Sequence, residues 1–367
     1  MPESTSDTDA SGGRLVLITG TGRSGTSTAS GTLSHLGLHV PGPYLGANRS
    51  NPKGFFESKW AVKFHKRLYE QACINDFDGR PEAIELVREA ITPALRDELR
   101  AFLERVSKGH GQIVVKDPRT VWCQALWADA AADVGLSIRY LSMLRHPAEV
   151  LGSRTEYYAS GADDARRRYY ATCSLGRWIN SCVTNERETR TARRTFVRYV
   201  DLLDDWRTTM RKVRDDLAIT YDSDVADDVA HPVDEFIDPD LRRVQVGWDD
   251  VDVPAQLRDI AEQAWQEQCV LADADGHDEA ASNRMDELGD AYAQVLRDAQ
   301  AVAHDASEQA VRKAEVTAVR KEREAVRERA AHVAPDDPEP APQESDRSTF
   351  ERLLGKARSV SSRVRSR

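Results

Sequence analysis

Residues Leu15 to Gly37 read LVLITGTGRSGTSTASGTLSHLG: a short apolar run, a glycine-rich turn and a helix-compatible stretch in immediate succession. That order constrains the chain more than any other feature. A strand apolar on both sides must be buried on both faces, which demands a sheet with helices packed above and below it. Glycines at 20, 22 and 25 let the backbone come close to a ligand, so that successive N–H groups and the helix start can point at one anion. Thr26, Ser27 and Thr28 add hydroxyl donors.

The rest of the chain repeats the pattern. Continuous apolar runs recur at QIVVK (Gln112 to Lys116), IRYLSML (Ile138 to Leu144) and TFVRYV (Thr195 to Val200). Helical stretches are expected over Thr26–Leu36, Lys59–Ala72, Glu82–Ser107, Thr120–Val134, Ala148–Tyr157 and Asp163–Thr191. The fold class is therefore α/β, a three-layer sandwich around a mainly parallel sheet, followed by a C-terminal helical extension. Sites in such folds lie at the carboxyl ends of the strands.

Five segments are expected. Residues 1–13 are a polar leader, and 14–285 form the α/β domain. Residues 286–333 form a long helical extension, because Gly and Pro are absent between Ala291 and Ala334. Its 4-3 apolar spacing fails at Gln309 and Lys313, so a packed helix and an oligomer seam both fit. A Pro- and acid-rich linker covers 334–346. The tail 347–367 is basic and amphipathic, suited to an anionic membrane surface or an acidic protein partner.

Composition narrows the function. A net charge of −10 over 367 residues opposes general nucleic-acid binding, so an anionic ligand must be held locally. The five cysteines form no C-x-x-C pair, and no motif has metal-ligand spacing. The N-terminus has no basic start followed by an apolar run, and no segment is a long uncharged apolar stretch. A cytoplasmic protein is expected, with the tail offering a peripheral contact at the inner membrane surface.

The loop nearly fits G-x-x-x-x-G-K-[ST], but Thr26 stands where that triphosphate motif has lysine. Arg23, inside the loop, offers a fork of donors instead. T-G-x-x-R-S-G-T-[ST] over Thr19–Ser27 resembles the 5'-phosphosulfate loop of sulfotransferases that use 3'-phosphoadenosine 5'-phosphosulfate (PAPS), in its bacterial form. The resemblance implies that Gly22, Arg23, Ser24, Gly25, Thr26 and Ser27 hold the 5'-phosphate, with Arg23 over the sulfuryl group. It also implies a 3'-phosphate site made by an Arg at a strand end and a Ser eight residues later. Arg145 and Ser153 in RYLSMLRHPAEVLGS have that spacing, with Pro147 able to start a helix between them. His146 reads as a structural neighbour. FVRYVDLLDD is similar to the family's R-Y-E-D-L segment, with Val200 in place of the acid; it places Tyr199, Asp201 and Leu202 near the nucleotide. FIDPDLRR resembles a C-terminal segment in which Arg242 or Arg243 supplies a further cation.

The resemblance implies sulfuryl transfer from PAPS, as co-substrate, to a hydroxyl. Arg23 and Lys116 are candidate cations for the transferring group, with Arg119 of the same KDPR segment. The glycine- and proline-rich stretch PGPYLGANRSNPKGFFES ends in Glu57, the candidate general base; beside Phe55 and Phe56 it would be partly desolvated, which raises proton affinity. Glu57 equally suits the first turn of the next helix. His65 and Asp117 are the reserve bases. Tyr44, Phe55, Phe56, Trp60, Tyr157 and Tyr158 could form an aromatic platform for a carbohydrate or glycolipid acceptor, and Arg166 to Arg168 could meet an acidic one. Two other classes stay open: a metabolite kinase using ATP and magnesium, and a non-catalytic nucleotide-binding protein.

Overall fold

Leu15, Val16, Leu17 and Ile18 are all fully buried, but they do not share a core. Alternation along the strand sends Leu15 and Leu17 to one face, with Ile113, Val115, Phe64, Leu99 and Trp127. Val16 and Ile18 go to the other, with Val114, Leu141, Leu33 and Met210. A strand that feeds two cores needs helices on both sides, and this is the three-layer arrangement found in the computed structural model. It describes residues 12–46, 53–158, 161–238 and 246–332, and only the backbone of 156–158 and 329–332.

The sheet comprises β1 (Gly13–Thr19), β2 (Gln112–Lys116), β3 (Leu136–Leu144) and β4 (Arg194–Arg198). The order is β2-β1-β3-β4 and every pairing is parallel, with Leu15 opposite Ile113 and Ile138, and Leu144 opposite Arg198. The chain leaves β1 on one side to reach β2, then crosses to β3 on the other. A crevice at that switch, beyond the carboxyl ends of the strands, is where such sheets hold ligands.

Helices α1 (Thr26–His35), α2 (Lys59–Ala72), α3 (Ala83–Ala90), α4 (Pro93–Ser107), α5 (Gln124–Asp133), α6 (Pro147–Tyr158) and α7 (Asp164–Thr189) follow in order. After β4 come α8 (Tyr199–Asp204), α9 (Trp206–Leu217), α10 (Pro232–Phe236), α11 (Ala255–Asp273), α12 (Glu279–Val302) and α13 (His304–His332). α2, α4 and α5 supply the core on the Leu15 face, and α1, α8 and α9 that on the Val16 face. A third cluster joins α6, α7, α11 and α12 through Leu151, Trp178, Ile179, Leu257 and Met285.

Four expectations change. The helix expected over Glu82–Ser107 is two, because Pro93 cannot continue a helix and holds Thr92 extended (φ −96°, ψ 160°); the Thr92 hydroxyl then caps α4 by accepting from the Leu95 N–H at 3.3 Å. The helix expected over Thr120–Val134 splits into a 3-10 turn, Pro118–Trp122, and α5, because Asp117 caps the turn through the Arg119 N–H at 3.0 Å. β4 stops at Arg198 and the chain turns directly into α8, so Tyr199 opens a helix rather than lying in the strand. The helix expected from residue 286 starts earlier, at Glu279, and its Ala281, Met285, Leu288 and Tyr292 are buried in the α/β unit, so the separate extension starts later than expected. The chain divides into compact units at Gln300 and Ala301. In the second unit α13 exposes Val311, Val316, Val319 and Val326. The helix is interrupted at Ala303, which no Gly or Pro explains. The leader through residue 11, the linker and the basic tail lie outside the described residues. No described helix is long and apolar enough to cross a membrane.

At the lower end of the sheet a buried charge network joins three elements. Glu186 of α7 accepts from Arg194 of β4 at 3.0 Å, from Ser282 of α12 at 2.8 Å and from Arg190 at 2.5 Å. Arg194 also donates to the Gly276 carbonyl at 2.7 Å. Burial depresses the Arg194 pKa, with Glu186 opposing that shift. Removing Glu186 would leave a buried guanidinium without its counter-charge, so Glu186→Ala is expected to lower stability by about 3–5 kcal/mol. A fall in the urea midpoint checks this; an unchanged midpoint would contradict it.

Candidate functional site

The loop from β1 to α1 turns through left-handed backbone at Gly20, Arg23 and Gly25. Gly25, the residue before α1, has φ 88°, and a Cβ there would lie 2.1 Å from the Tyr199 ring. Only glycine lets α8 press against the helix start. Arg23 holds φ 76°, a conformation that costs a non-glycine residue energy unless its surroundings impose it. Two contacts do so. The Arg23 Nε donates to the Ser153 hydroxyl at 3.0 Å, and the Arg145 guanidinium donates to the Arg23 carbonyl at 3.1 Å. Within the loop, the Thr21 and Ser24 hydroxyls share a 2.6 Å hydrogen bond.

Arg145 follows β3 directly and Ser153 lies on α6, where their spacing put them. Arg145 is buried; its Nε donates to Glu149 at 2.9 Å and its guanidinium lies 5.4 Å from the centre of the Tyr199 ring. One cluster thus contains Gly22, Arg23, Ser24, Gly25, Arg145, Ser153 and Tyr199, drawn from the ends of β1, β3 and β4.

The second half of the site comes from β2. Lys116, the last residue of that strand, is only 2% exposed, and its ammonium donates to Glu57 at 2.5 Å and to the Ser27 hydroxyl at 3.1 Å. Burial pushes the Lys116 pKa down, while Glu57 and Asp117 pull it up. Glu57 reaches this place because Phe56 is wedged against α1. A Cβ on Gly31 would lie 2.9 Å from Phe56 and 2.2 Å from Phe236, and those two rings meet edge to face at 5.7 Å. The Ser30 hydroxyl donates to the Phe56 carbonyl at 3.3 Å, and the Leu45 N–H to the Glu57 carbonyl at 2.9 Å. Glu57 therefore precedes α2 and its capping residue Ser58, outside the first turn of the helix. Its carboxylate meets cations, with Phe56 turned to Phe236. Glu57 is desolvated, only 6% exposed, and its carboxylate is held in an ion pair.

The reserve bases are occupied. His65 and Asp117 are both fully buried, and His65 Nδ1 meets Asp117 at 2.8 Å. Burial opposes charge on the imidazole, whereas Cys123 and Asp117 favour it. The hydrogen bonds decide against that charged form. The Trp127 indole N–H, which can only donate, points at His65 Nε2 from 2.9 Å, so that nitrogen carries a lone pair and the proton sits on Nδ1. Asp117 stays ionised: burial alone would raise its pKa, but His65 and Arg119 hold it far below the usual carboxylate range. Neither group can face a substrate.

Several contributors carried no local signal. Asp76 accepts from Arg119 at 2.8 Å, and Arg119 also donates to Asp117 at 2.8 Å and approaches Glu57 at 3.9 Å. Phe77 lies beneath the Arg154 guanidinium at 4.8 Å, and both stand beside Gly22. Their partners are distant in sequence, and no spacing rule announces such pairs.

Other expected residues go elsewhere. Trp60 is half-buried and stacks on Phe102 at 3.9 Å, against the core. Tyr44 is 44% exposed and donates to the Val40 carbonyl at 2.8 Å. Arg167 and Arg168, on α7, pair with Asp164 and Asp252. His146 pairs with Glu262 at 3.1 Å. Arg242 and Arg243, and the side chains of Tyr157 and Tyr158, lie outside the described residues. Among the described residues no group of three His, Cys, Asp or Glu could hold a metal ion.

No protein-family model matches the chain, and no curated protein matches it in sequence. Among solved structures it is similar to the sulfotransferase domain of the Synechococcus PCC 7002 olefin synthase, at 19% identity and a TM-score of 0.40, over 71% of this chain and 96% of that one. It is also similar to the sulfotransferase domain from the curacin biosynthetic pathway, at 15% identity and a TM-score of 0.37, over 69% and 97%. At these scores the likeness is too loose to bear on the site, whose reading rests on its own residues.

Proposed function

We propose that the protein is a sulfotransferase that moves the sulfuryl group of PAPS to a hydroxyl. One observation carries the reading: Arg145 and Ser153 both touch Arg23 of the glycine loop. Two sets of anion-binding groups therefore stand side by side, which suits a nucleotide with phosphate at both its 3' and 5' positions. A triphosphate would instead need the fixed cation that Thr26 replaces.

In this reading the loop, Ser27 and the start of α1 hold the 5'-phosphate, and Arg145 with Ser153 holds the 3'-phosphate. The acceptor oxygen forms a bond to sulfur as the bond from sulfur to the phosphate oxygen breaks, and 3',5'-bisphosphate leaves. The hydroxyl proton passes to Glu57. Arg23 and Lys116 face the oxygens on which charge develops, where fixed donors in a buried site act most strongly. Lys116 suits that place because it touches both the loop helix, at Ser27, and the base. The acceptor we favour is a carbohydrate-type hydroxyl, on a glycan or glycolipid, and the half-buried Phe55 near Glu57 suits the apolar face of a sugar.

Adenosine 3',5'-bisphosphate is expected to raise the melting temperature, and ATP with magnesium is not; the reverse would favour a kinase. Arg23→Ala or Arg145→Ala should weaken bisphosphate binding by about tenfold or more, the worth of a charge-assisted hydrogen bond. Glu57→Gln should keep that binding and lower PAPS turnover by about 10²–10⁴-fold. Full turnover in this variant would remove Glu57 as the base. Binding without transfer in the unmodified protein, across a broad panel of hydroxyl acceptors, would favour a non-catalytic role.

A further inference from the structure

The short connection between α2 and α3 approaches the site without belonging to any motif. Its sequence, Asn75-Asp76-Phe77-Asp78-Gly79-Arg80, is fastened along its length. The Asp78 carboxylate accepts from the Asn75 N–H at 3.1 Å, from the Arg80 N–H at 2.9 Å and from the Arg80 guanidinium at 2.8 Å. Its carbonyls are held from three other elements: that of Asp76 by Trp122 at 3.2 Å, that of Asp78 by Asn180 at 3.0 Å and that of Gly79 by Tyr292 at 2.6 Å. None of these anchors uses the Asp76 side chain.

That carboxylate, 39% exposed, instead meets Arg119, which is 16% exposed. Asp117 fixes Nη1 of the same guanidinium from below, and Asp76 takes Nε from the connection, both at 2.8 Å. A planar fork gripped on two sides has little rotational freedom left. Nη1 of this fork lies 3.9 Å from the Glu57 oxygen that Lys116 does not take.

We propose that Asp76 is a positioning residue of the transfer site, which acts by fixing the Arg119 guanidinium beside the Glu57–Lys116 pair. The inference rests on the sulfotransferase reading for its consequence in catalysis, but the coupling of Asp76 to Arg119 is a property of the site whatever the reaction. Without Asp76 the guanidinium keeps only Asp117 as a short-range partner and swings about that contact. Glu57 then loses a cation of fixed position, whereas the bisphosphate contacts at Arg145 and Ser153 are untouched. Because the connection is anchored through Asp78 and the carbonyls, Asp76→Asn removes the charge and leaves the segment in place.

The test compares the full-length protein with its Asp76→Asn, Asp76→Glu, Arg119→Lys and Asp76→Asn/Arg119→Lys variants. The first readout is the reactivity of Arg119 towards phenylglyoxal, resolved by peptide mass spectrometry against the exposed Arg166. Asp76→Asn should raise Arg119 labelling several-fold and leave Arg166 unchanged, with Asp76→Glu restoring part of the protection. The second is PAPS turnover beside bisphosphate affinity. Asp76→Asn should lower turnover by about tenfold while the affinity stays within about twofold, and the double variant should be no slower than Arg119→Lys alone. Unchanged Arg119 labelling, or effects of the two substitutions that multiply, would overturn the proposal. Increased labelling in a protein that neither binds the bisphosphate nor turns over PAPS would uphold the coupling and instead remove the sulfotransferase reading.

Discussion

A lysine ammonium buried at the end of a strand is tolerable only with a counter-charge in place, and Glu57 at 2.5 Å supplies it for Lys116. Much of the site's geometry depends on this pair. It draws the end of the long connection after α1 over the sheet, where Phe56 lodges against Gly31 and Phe236. It brings the Ser27 hydroxyl, on the first turn of α1, to the same ammonium. It also sets Glu57 beside Arg119, the residue on which Asp76 and Asp117 converge. A carboxylate so placed can hold a cation and, once that cation engages an anionic substrate, accept a proton.

The charge balance follows one rule across the site. The chain is acidic overall, with a net charge of −10, so its field repels an anion at long range. The cations of the site lie at the carboxyl ends of the strands and are held individually: Arg145 by Glu149, Lys116 by Glu57, and Arg119 by Asp76 and Asp117. Such donors are oriented before a ligand arrives, which is the arrangement that stabilises developing charge with least reorganisation. The buried His65 belongs to this scaffold, locking Asp117 under Arg119 while Trp127 holds its other nitrogen.

The parallel sheet and the loop were legible because both are written in contiguous residues. β2 falls where the apolar run placed it, and Arg145 and Ser153 meet the loop because a strand end and the helix after it fix their separation locally. Pro93 was legible too, and its missing N–H outweighs the periodicity that suggested one helix over Glu82–Ser107. Trp60 could not be placed from sequence, because an aromatic near a loop looks the same whether it faces solvent or a core partner such as Phe102. Asp76, Phe77 and Arg154 could not be read at all. Their partners lie at least 43 positions away, and only the fold brings them together.

The account stands or falls on whether Arg145 reads a 3'-phosphate next to a loop that reads a 5'-phosphate. Isothermal titration of adenosine 3',5'-bisphosphate and of adenosine 5'-monophosphate, into the unmodified protein and into Arg145→Ala, measures this as a coupling between ligand and side chain. The account predicts that the bisphosphate binds at least about tenfold tighter to the unmodified protein, as a charge-assisted contact should allow, and that the preference disappears in the variant. Equal binding of the two nucleotides, or a preference that survives the loss of Arg145, would contradict it.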